Sequence, residues 1–343
     1  MMEGDLMALD PSVHMEKTLK GSIARLRYDG KGDFTAWQEE ARGKLRGLLG
    51  LDLMKSCPDD FRTEWVREEE GFTEHRVLFT SEEDVDVLCH VLLPRDGREV
   101  RLPAVICLQG HSKGMHISLG RPKYPGDEQT ISGGDRDFAR QVIARGQIAI
   151  VMEQRGFGER GCTPEGPACH QYAVQAMLVG QTLIGQRVFD ISRAIDILPV
   201  YFPRIDSARI AVMGNSGGGT ASVYAAACDT RIAAAMPSCA FCGFTESIGL
   251  IRHCICNYVP GIMNWFDMGD LACLIAPRPL VIVNGKDDTI FPLESAMRQY
   301  AVAEMGYRAC SAAEKLRHVT GPAGHRFYAE LGWAAFDEVT GWK

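Results

Sequence analysis

Residues 210–218 read IAVMGNSGG, a short apolar run followed at once by small residues around a serine. The apolar run predicts a buried strand. The small residues at 217–227 predict a helix that packs closely on the sheet. Ser216 would then lie on a sharp strand-to-helix turn, which exposes its hydroxyl and directs the following backbone amides toward it. We interpret Ser216 as a candidate nucleophile.

A second Gly-x-Ser-x-Gly pattern surrounds Ser112. A strand is predicted before it, but the residues after it, GMHISLGRP, are poor helix formers. We therefore favour Ser216 over Ser112. The loop after the earlier strand is expected to supply a backbone amide instead, so that the amides of His111 and Gly217 bind a developing oxyanion. The alternative is that this loop is only a turn.

An acid and a base are predicted from the residues that follow Ser216, in the order serine, acid, histidine. Asp287 and Asp288 both follow a predicted strand at 280–283; we favour Asp288 and keep Asp287 as the alternative. Both could instead cap the next helix. His325 stands in a glycine-containing loop before a predicted helix, where a general base can be presented, whereas His318 lies within the last predicted strand.

Apolar strands alternate with helical patterns through most of the chain. This alternation predicts an α/β fold with a mainly parallel sheet of about eight strands and helices on both faces. Residues 1–70 are expected to form a helical extension and 71–343 the catalytic domain, with loop insertions near 114–134 and 237–279. The predicted strands are 75–80, 85–93, 104–108, 148–152, 210–213, 232–236, 280–283 and 315–320; the predicted helices are 34–49, 135–144, 172–198, 220–227, 293–305 and 325–331.

Composition and charge disfavour a nucleic-acid-binding or membrane-spanning protein. The 343 residues carry a net charge of −7, which makes nucleic acid an unfavoured partner, and the charged run at 67–70 is expected to be a solvated turn. No apolar stretch predicts a membrane span and no signal peptide is evident, so a cytoplasmic location is expected. The twelve cysteines are then expected to be reduced.

Two close pairs of cysteines are candidate zinc ligands, because zinc sites favour paired cysteines. They are Cys239 with Cys242, and Cys254 with Cys256. The first pair follows an apolar strand and the second lies in a predicted helix. Structural thiols are the favoured interpretation, and no metal is expected.

Several short motifs together resemble those of α/β-hydrolases of the acetyl xylan esterase and dienelactone hydrolase-like group. The resemblance covers roughly residues 70–343 and implies a Ser-His-Asp triad, deacetylation of sugars or small esters, and no cofactor. Gln109–Gly110 replaces the usual His-Gly, and Ser216 stands where dienelactone hydrolases carry cysteine. The motifs are GNSGG at 214–218, GxxDxxxP at 285–292, GHxF at 324–327, QRGFG at 154–158, GxxLxG at 180–185 and LIAPRP at 274–279.

The favoured function is hydrolysis of a small short-acyl ester through an acyl-enzyme. A C–C bond hydrolase, a thioesterase or a biosynthetic cyclase or acyltransferase could use the same residues, and a non-catalytic ligand-binding protein is the third alternative. Lys113, His116 and Arg155 flank the expected site mouth and are candidates for binding substrate, unless they are only solvated surface charges. A homo-oligomer is compatible with the sequence.

Overall fold

The protein is described here by a computed structural model that covers residues 9–97, 100–161, 163 and 166–342. Among the residues that the structure describes, nine strands form one sheet. They are β1 (Arg62–Glu69), β2 (Phe72–Glu82), β3 (Val85–Pro94), β4 (Leu102–Leu108), β5 (Ile148–Met152), β6 (Ile205–Asn215), β7 (Ala234–Ser238), β8 (Leu280–Gly285) and β9 (Leu316–Gly321). Their order across the sheet is β1-β2-β3-β5-β4-β6-β7-β8-β9. The first three strands and the β3–β5 pair are antiparallel, and the other neighbours are parallel.

Helices cover both faces of this sheet, as the alternation of strands and helices predicts. The α-helices of the described residues are α1 (Pro11–Lys20), α2 (Phe34–Leu49), α3 (Asp127–Ser132), α4 (Phe138–Ala144), α5 (Cys169–Leu178), α6 (Leu183–Tyr201), α7 (Gly217–Cys228), α8 (Met268–Cys273), α9 (Leu293–Ala309) and α10 (Ala329–Thr340). One buried apolar cluster includes side chains of α2, α6, α7 and α9, and another on the opposite face includes those of α4 and α10. None of the described helices is long and apolar enough to cross a membrane.

The sheet begins earlier than the sequence indicates. Strand β1 lies within the segment 1–70 that was expected to be a helical extension, and it pairs with β2 at the edge of the sheet. The charged residues Arg67–Glu69 belong to this strand, so their interpretation as a turn was wrong. All residues of the strand except Trp65 are exposed to solvent, on both faces. The sequence therefore lacks the alternation of apolar and polar residues that would have predicted a strand.

Helix α2 ends where the sequence predicts. Gly50 adopts a left-handed conformation with φ 74°, which closes the helix after Leu49. The helix packs on the main domain, since Leu45 and Leu49 are fully buried and Arg42 donates hydrogen bonds to the carbonyls of Ala227 and Leu274. Helix α2 therefore packs on the outside of the helices that cover one face of the sheet.

The single helix predicted at 172–198 is two helices in the structure. Helix α5 ends at Leu178, and α6 begins after Thr182, whose hydroxyl accepts a hydrogen bond from the amide of Gly185 at 3.0 Å. Gly180 between them has φ 76°, a conformation that glycine adopts at little cost. The sequence did not predict this break, because its apolar residues keep a helical periodicity through the segment. The last predicted helix, 325–331, also begins later, at Ala329.

Candidate active site

Ser216 occupies the turn between β6 and α7. Its backbone angles, φ 55° and ψ −123°, are strained for a residue with a side chain. Tight packing maintains the turn: a Cβ on Gly218 would lie 2.1 Å from the carbonyl oxygen of Leu108, so only glycine fits there. The backbone amide of Ser216 donates to the carbonyl of Ser238 at 2.8 Å. This is the strand–turn–helix context that presents a nucleophilic serine.

His325 and Asp288 form a hydrogen-bonded pair at the same edge of the sheet. His325 Nδ1 lies 2.8 Å from Asp288 Oδ2. Asp288 follows β8 and its side chain is fully buried, whereas Asp287 is exposed to solvent. His318, the other candidate base, lies in β9 with Nε2 3.1 Å from Asn284 Oδ1. The structure therefore brings together His325 and Asp288, and not His318 or Asp287.

The carboxylate of Asp288 is held in its charged form. Burial would raise its pKa, but the hydrogen bond from His325 and the amides of Ile290 and Phe291 outweigh that effect and lower the pKa below its ordinary value. The amides lie 2.8 and 3.1 Å from Oδ1, which leaves Oδ2 for the histidine. A charged, oriented carboxylate fixes the tautomer of His325, with the proton on Nδ1 and a free lone pair on Nε2.

Ser238 connects the serine turn to the histidine loop. Its carbonyl accepts from the amide of Ser216, and its hydroxyl lies 3.4 Å from the carbonyl of Arg326, the residue after His325. Strands β6, β8 and β9 run parallel, so their carboxyl ends meet at one edge of the sheet. The structure thus brings together the elements that carry Ser216, Asp288 and His325.

The two predicted oxyanion donors lie beside the serine. Gly217 is the first residue of α7, so its amide has no carbonyl one turn earlier in the helix to bond. The loop of His111 is close, because a Cβ on Gly110 would lie 3.1 Å from the Cβ of Ser216. Within the described residues, neither the His111 nor the Gly217 amide donates to another backbone group. Both amides therefore remain the candidate donors to an oxyanion.

Two of the three candidate substrate-binding residues line a cavity of about 570 Å³ beside this loop. The ammonium of Lys113 lies 4.7 Å above the ring of Tyr124, at the cavity wall. His116 is buried and its Nε2 lies 2.8 Å from the carboxylate of Asp127. Ser216 does not line this cavity. No carboxylate among the described residues forms an ion pair with Lys113, whereas His116 is hydrogen-bonded to Asp127.

Arg155 is held by protein carboxylates. Its guanidinium lies 2.7 Å from Asp190 and 2.7 Å from Glu82, and only 13% of the side chain is exposed. These ion pairs tie the loop after β5 to helix α6 and strand β2. The contacts give Arg155 a structural role, which argues against its proposed contact with substrate.

Two residues near the His325–Asp288 pair were not predicted to belong to the active site. The thiol of Cys239, which follows β7, lies within 4.8 Å of ligand atoms of both residues. His253, in the insertion after β7, packs edge-on against Phe291, with ring centroids 5.3 Å apart. Burial, reinforced by the nearby imidazoles of His111 and His325, lowers the pKa of His253 to about 4, so its ring is neutral at pH 7. Cys239 was singled out only as a possible zinc ligand and no motif marks His253, because folding alone brings both residues to the site.

Glu153 is a buried carboxyl group at the same edge, directly after β5. Burial raises its pKa to about 7, even though it accepts hydrogen bonds from Gln109 at 2.5 Å and from the amide of Met115 at 3.0 Å. Its carboxyl group also lines the cavity that contains Lys113. Its protonation state therefore changes near neutral pH.

We expect Glu153 to make the protein less stable as the pH rises. The folded state binds the proton more tightly than the unfolded chain, so the stabilisation is complete below pH 4.5 and is lost as the pH rises through about 7. Between pH 5 and pH 8 the free energy of unfolding should fall by about 2 to 3 kcal/mol through this group. Urea titrations of wild type and Glu153→Gln at both pH values measure this, since the variant lacks the titration. If the free energy of unfolding changed by the same amount with pH in both proteins, the raised pKa assigned to Glu153 would be wrong.

A mostly parallel sheet with a serine on a strained strand-to-helix turn, and a histidine–aspartate pair on later loops of the same edge, defines the α/β-hydrolase class. A family model, acetyl xylan esterase (AXE1), matches residues 33–252. The chain belongs to this family and is a carboxylic ester hydrolase. The resemblance noted from the sequence motifs is confirmed.

The chain is also similar to a curated protein and to solved structures. The Bacillus subtilis (strain 168) protein YtaP, designated a hydrolase, is 26% identical over 293 residues, which cover 83% of this chain and 93% of YtaP. A Bacteroides fragilis NCTC 9343 structure designated an acetyl xylan esterase superposes with a TM-score of 0.77 at 16% identity, covering 96% of this chain and 89% of that one. A glucuronoyl esterase from Solibacter usitatus gives 0.67 at 13% identity, covering 93% and 96%. At these identities the two structures establish the shared fold.

Proposed function

We propose that the protein is a serine carboxylesterase that removes a short acyl group, foremost acetyl, from a small ester through an acyl-enzyme. The observation that carries the proposal is the His325–Asp288 hydrogen bond of 2.8 Å at the sheet edge where Ser216 lies on its strained turn. Membership of the acetyl xylan esterase family supports the choice of acetyl.

In the proposed reaction, Ser216 Oγ attacks the ester carbonyl carbon while His325 Nε2 takes the hydroxyl proton. The negative charge of Asp288 stabilises the imidazolium that forms. Collapse of the tetrahedral intermediate breaks the C–O bond, and His325 gives its proton to the leaving alcohol. Water then attacks the acyl-enzyme with the same histidine as base, which releases the acid and restores Ser216.

The amides of Gly217 and His111 stabilise the oxyanion of both tetrahedral intermediates in this scheme. Such donors act where water is excluded and are already oriented by the fold, and loss of one typically costs about 100- to 1,000-fold in rate. Lys113 is proposed to contact the leaving alcohol, because it lines the cavity beside the His111 loop. No step of the scheme requires a cofactor.

A panel of substrates tests this function. We expect kcat/KM for p-nitrophenyl acetate to exceed that for the octanoate by at least about tenfold, since a site shaped for a short acyl group excludes the longer chain. An acetyl thioester and a β-diketone serve as comparison substrates for thioesterase and C–C hydrolase activity. Faster turnover of either of these, or equal rates for all acyl lengths, would contradict the short-acyl esterase assignment.

A further inference from the structure

Four sulfur and nitrogen side chains meet beside the active site. His111 follows β4, Cys169 is the first residue of α5, and Cys254 and Cys256 lie in the insertion after β7. One ligand atom from each lies within 4.8 Å of the other three. The Sγ atom of Cys256 is 3.1 Å from His111 Nε2 and 3.4 Å from the Sγ atom of Cys254.

A buried positive charge faces this cluster. Arg187 is among the largest fully buried side chains, and its guanidinium donates to Cys169 Sγ at 3.2 Å. Its other hydrogen bonds go to the carbonyl of Arg155. Within the described ranges, no carboxylate forms an ion pair with Arg187, although a buried charge without a counter-ion is costly. A thiolate in the cluster would supply the negative charge that Arg187 lacks.

We propose that His111, Cys169, Cys254 and Cys256 bind a zinc ion. Zinc favours four tetrahedral ligands drawn from thiolates and imidazole, and Zn–S bonds of about 2.3 Å place sulfur atoms roughly 3.8 Å apart. The observed separations need only small side-chain adjustments to reach that geometry. Three thiolates, one neutral imidazole and Zn²⁺ carry one negative charge, which the guanidinium of Arg187 neutralises.

The site would be structural, because four protein ligands leave no open position for substrate. It would also hold the oxyanion loop in place. The ring of His111 covers the backbone of Gly217, where an added Cβ would lie 2.7 Å from the ring. A metal bound to Nε2 of this ring fixes the loop against α7 and joins it to α5 and the insertion. Loss of the metal should therefore disturb the oxyanion donors as well as the fold nearby.

This proposal departs from the expectation that the cysteines bind no metal. The two pairs considered from the sequence do not combine, because Cys239 Sγ lies against the carbonyl of Arg326 and Cys242 Sγ against that of Gly243. Cys254 and Cys256 lie instead beside His111 and Cys169, which are far away in the sequence, and the four residues form one ligand set. Ligand spacing along the chain could not reveal this set.

Metal binding is tested on the purified full-length protein, reduced and stripped with a chelator. Zinc titrated against a chromophoric chelator should bind at one equivalent per chain, and cobalt(II) should give the absorption bands of a tetrahedral thiolate centre. No competition for zinc by the reduced protein, or cobalt bands of octahedral type, would overturn the proposal. These readouts do not depend on whether Ser216 is the nucleophile.

Substitution of the proposed ligands tests which residues bind the metal. Cys254→Ser and Cys256→Ser should each lower zinc affinity at least about 100-fold, whereas Cys310→Ser, a half-buried thiol outside the cluster, should bind like wild type. His111→Ala should keep weaker binding but lose the four-ligand cobalt spectrum. Circular dichroism confirms that each variant is folded. Unchanged binding in both cluster variants, or equal loss in Cys310→Ser, would assign the metal elsewhere and overturn the proposal.

Discussion

Replacement of Ser216 by alanine should lower kcat/KM for acetyl esters by about 10⁴- to 10⁶-fold. The substitution removes the atom that forms the acyl-enzyme, whereas the oxyanion donors and the substrate contacts remain. The variant should fold normally, because alanine keeps the Cβ that the strained turn already accommodates. A fluorophosphonate probe with intact-mass readout measures the same loss directly: wild type should gain one adduct and Ser216→Ala none.

Ser112→Ala is the matched control for this experiment. Ser112 occurs in the same five-residue pattern, but turns rather than a helix follow it, and its hydroxyl lies 3.4 Å from the carbonyl of Gly114. We expect this variant to keep the adduct and nearly all of the activity. An adduct that persists in Ser216→Ala and disappears in Ser112→Ala would mean that the wrong serine has been assigned.

Replacement of Asp288 by asparagine should lower kcat/KM by about 10⁴-fold with little change in substrate binding. The amide side chain keeps the size of the carboxylate, but it removes the negative charge that stabilises the imidazolium. It also favours the tautomer of His325 with the proton on Nε2, which cannot accept a proton from Ser216. Steady-state kinetics should therefore show the loss in kcat rather than in KM.

Asp287→Asn supplies the comparison, since it makes the same chemical change one residue away. The Asp287 side chain is exposed, and its backbone amide bonds to the carbonyl of Ala323 without involving the carboxylate. Its activity should stay within about twofold of wild type, because exposed charges at this distance are screened by water. A large loss in Asp287→Asn with an active Asp288→Asn would reverse the assignment of the acid.

The proposed zinc site and the proposed oxyanion hole share His111. The backbone amide of His111 is the proposed oxyanion donor, whereas its ring contacts the thiol of Cys256. Metal removal should consequently reduce esterase activity without preventing fluorophosphonate labelling altogether, since Ser216 and the His325–Asp288 pair lie outside the cluster. This distinguishes a structural metal from a catalytic one.

Local patterns in the sequence were sufficient for the fold class and for the elements that carry Ser216, Asp288 and His325. Buried parallel strands are continuous apolar runs, and a serine between a strand and a small-residue helix is informative by itself. The helix at 34–49 was predicted with the boundaries that the structure shows. These features depend on residues close together in the chain, which is why sequence alone reveals them.

Only the tertiary structure decided the features that depend on distant contacts. Strand β1 is recognisable by its pairing with β2 and not by its exposed, charged residues. Arg155 is neutralised by carboxylates from two other elements, and Cys169 meets Cys254 through folding alone. Burial, ion pairing and ligand clusters are properties of side chains that are separated in sequence and adjacent in space. These properties arise when helices, strands and loops pack together, and no local sequence pattern predicts that packing.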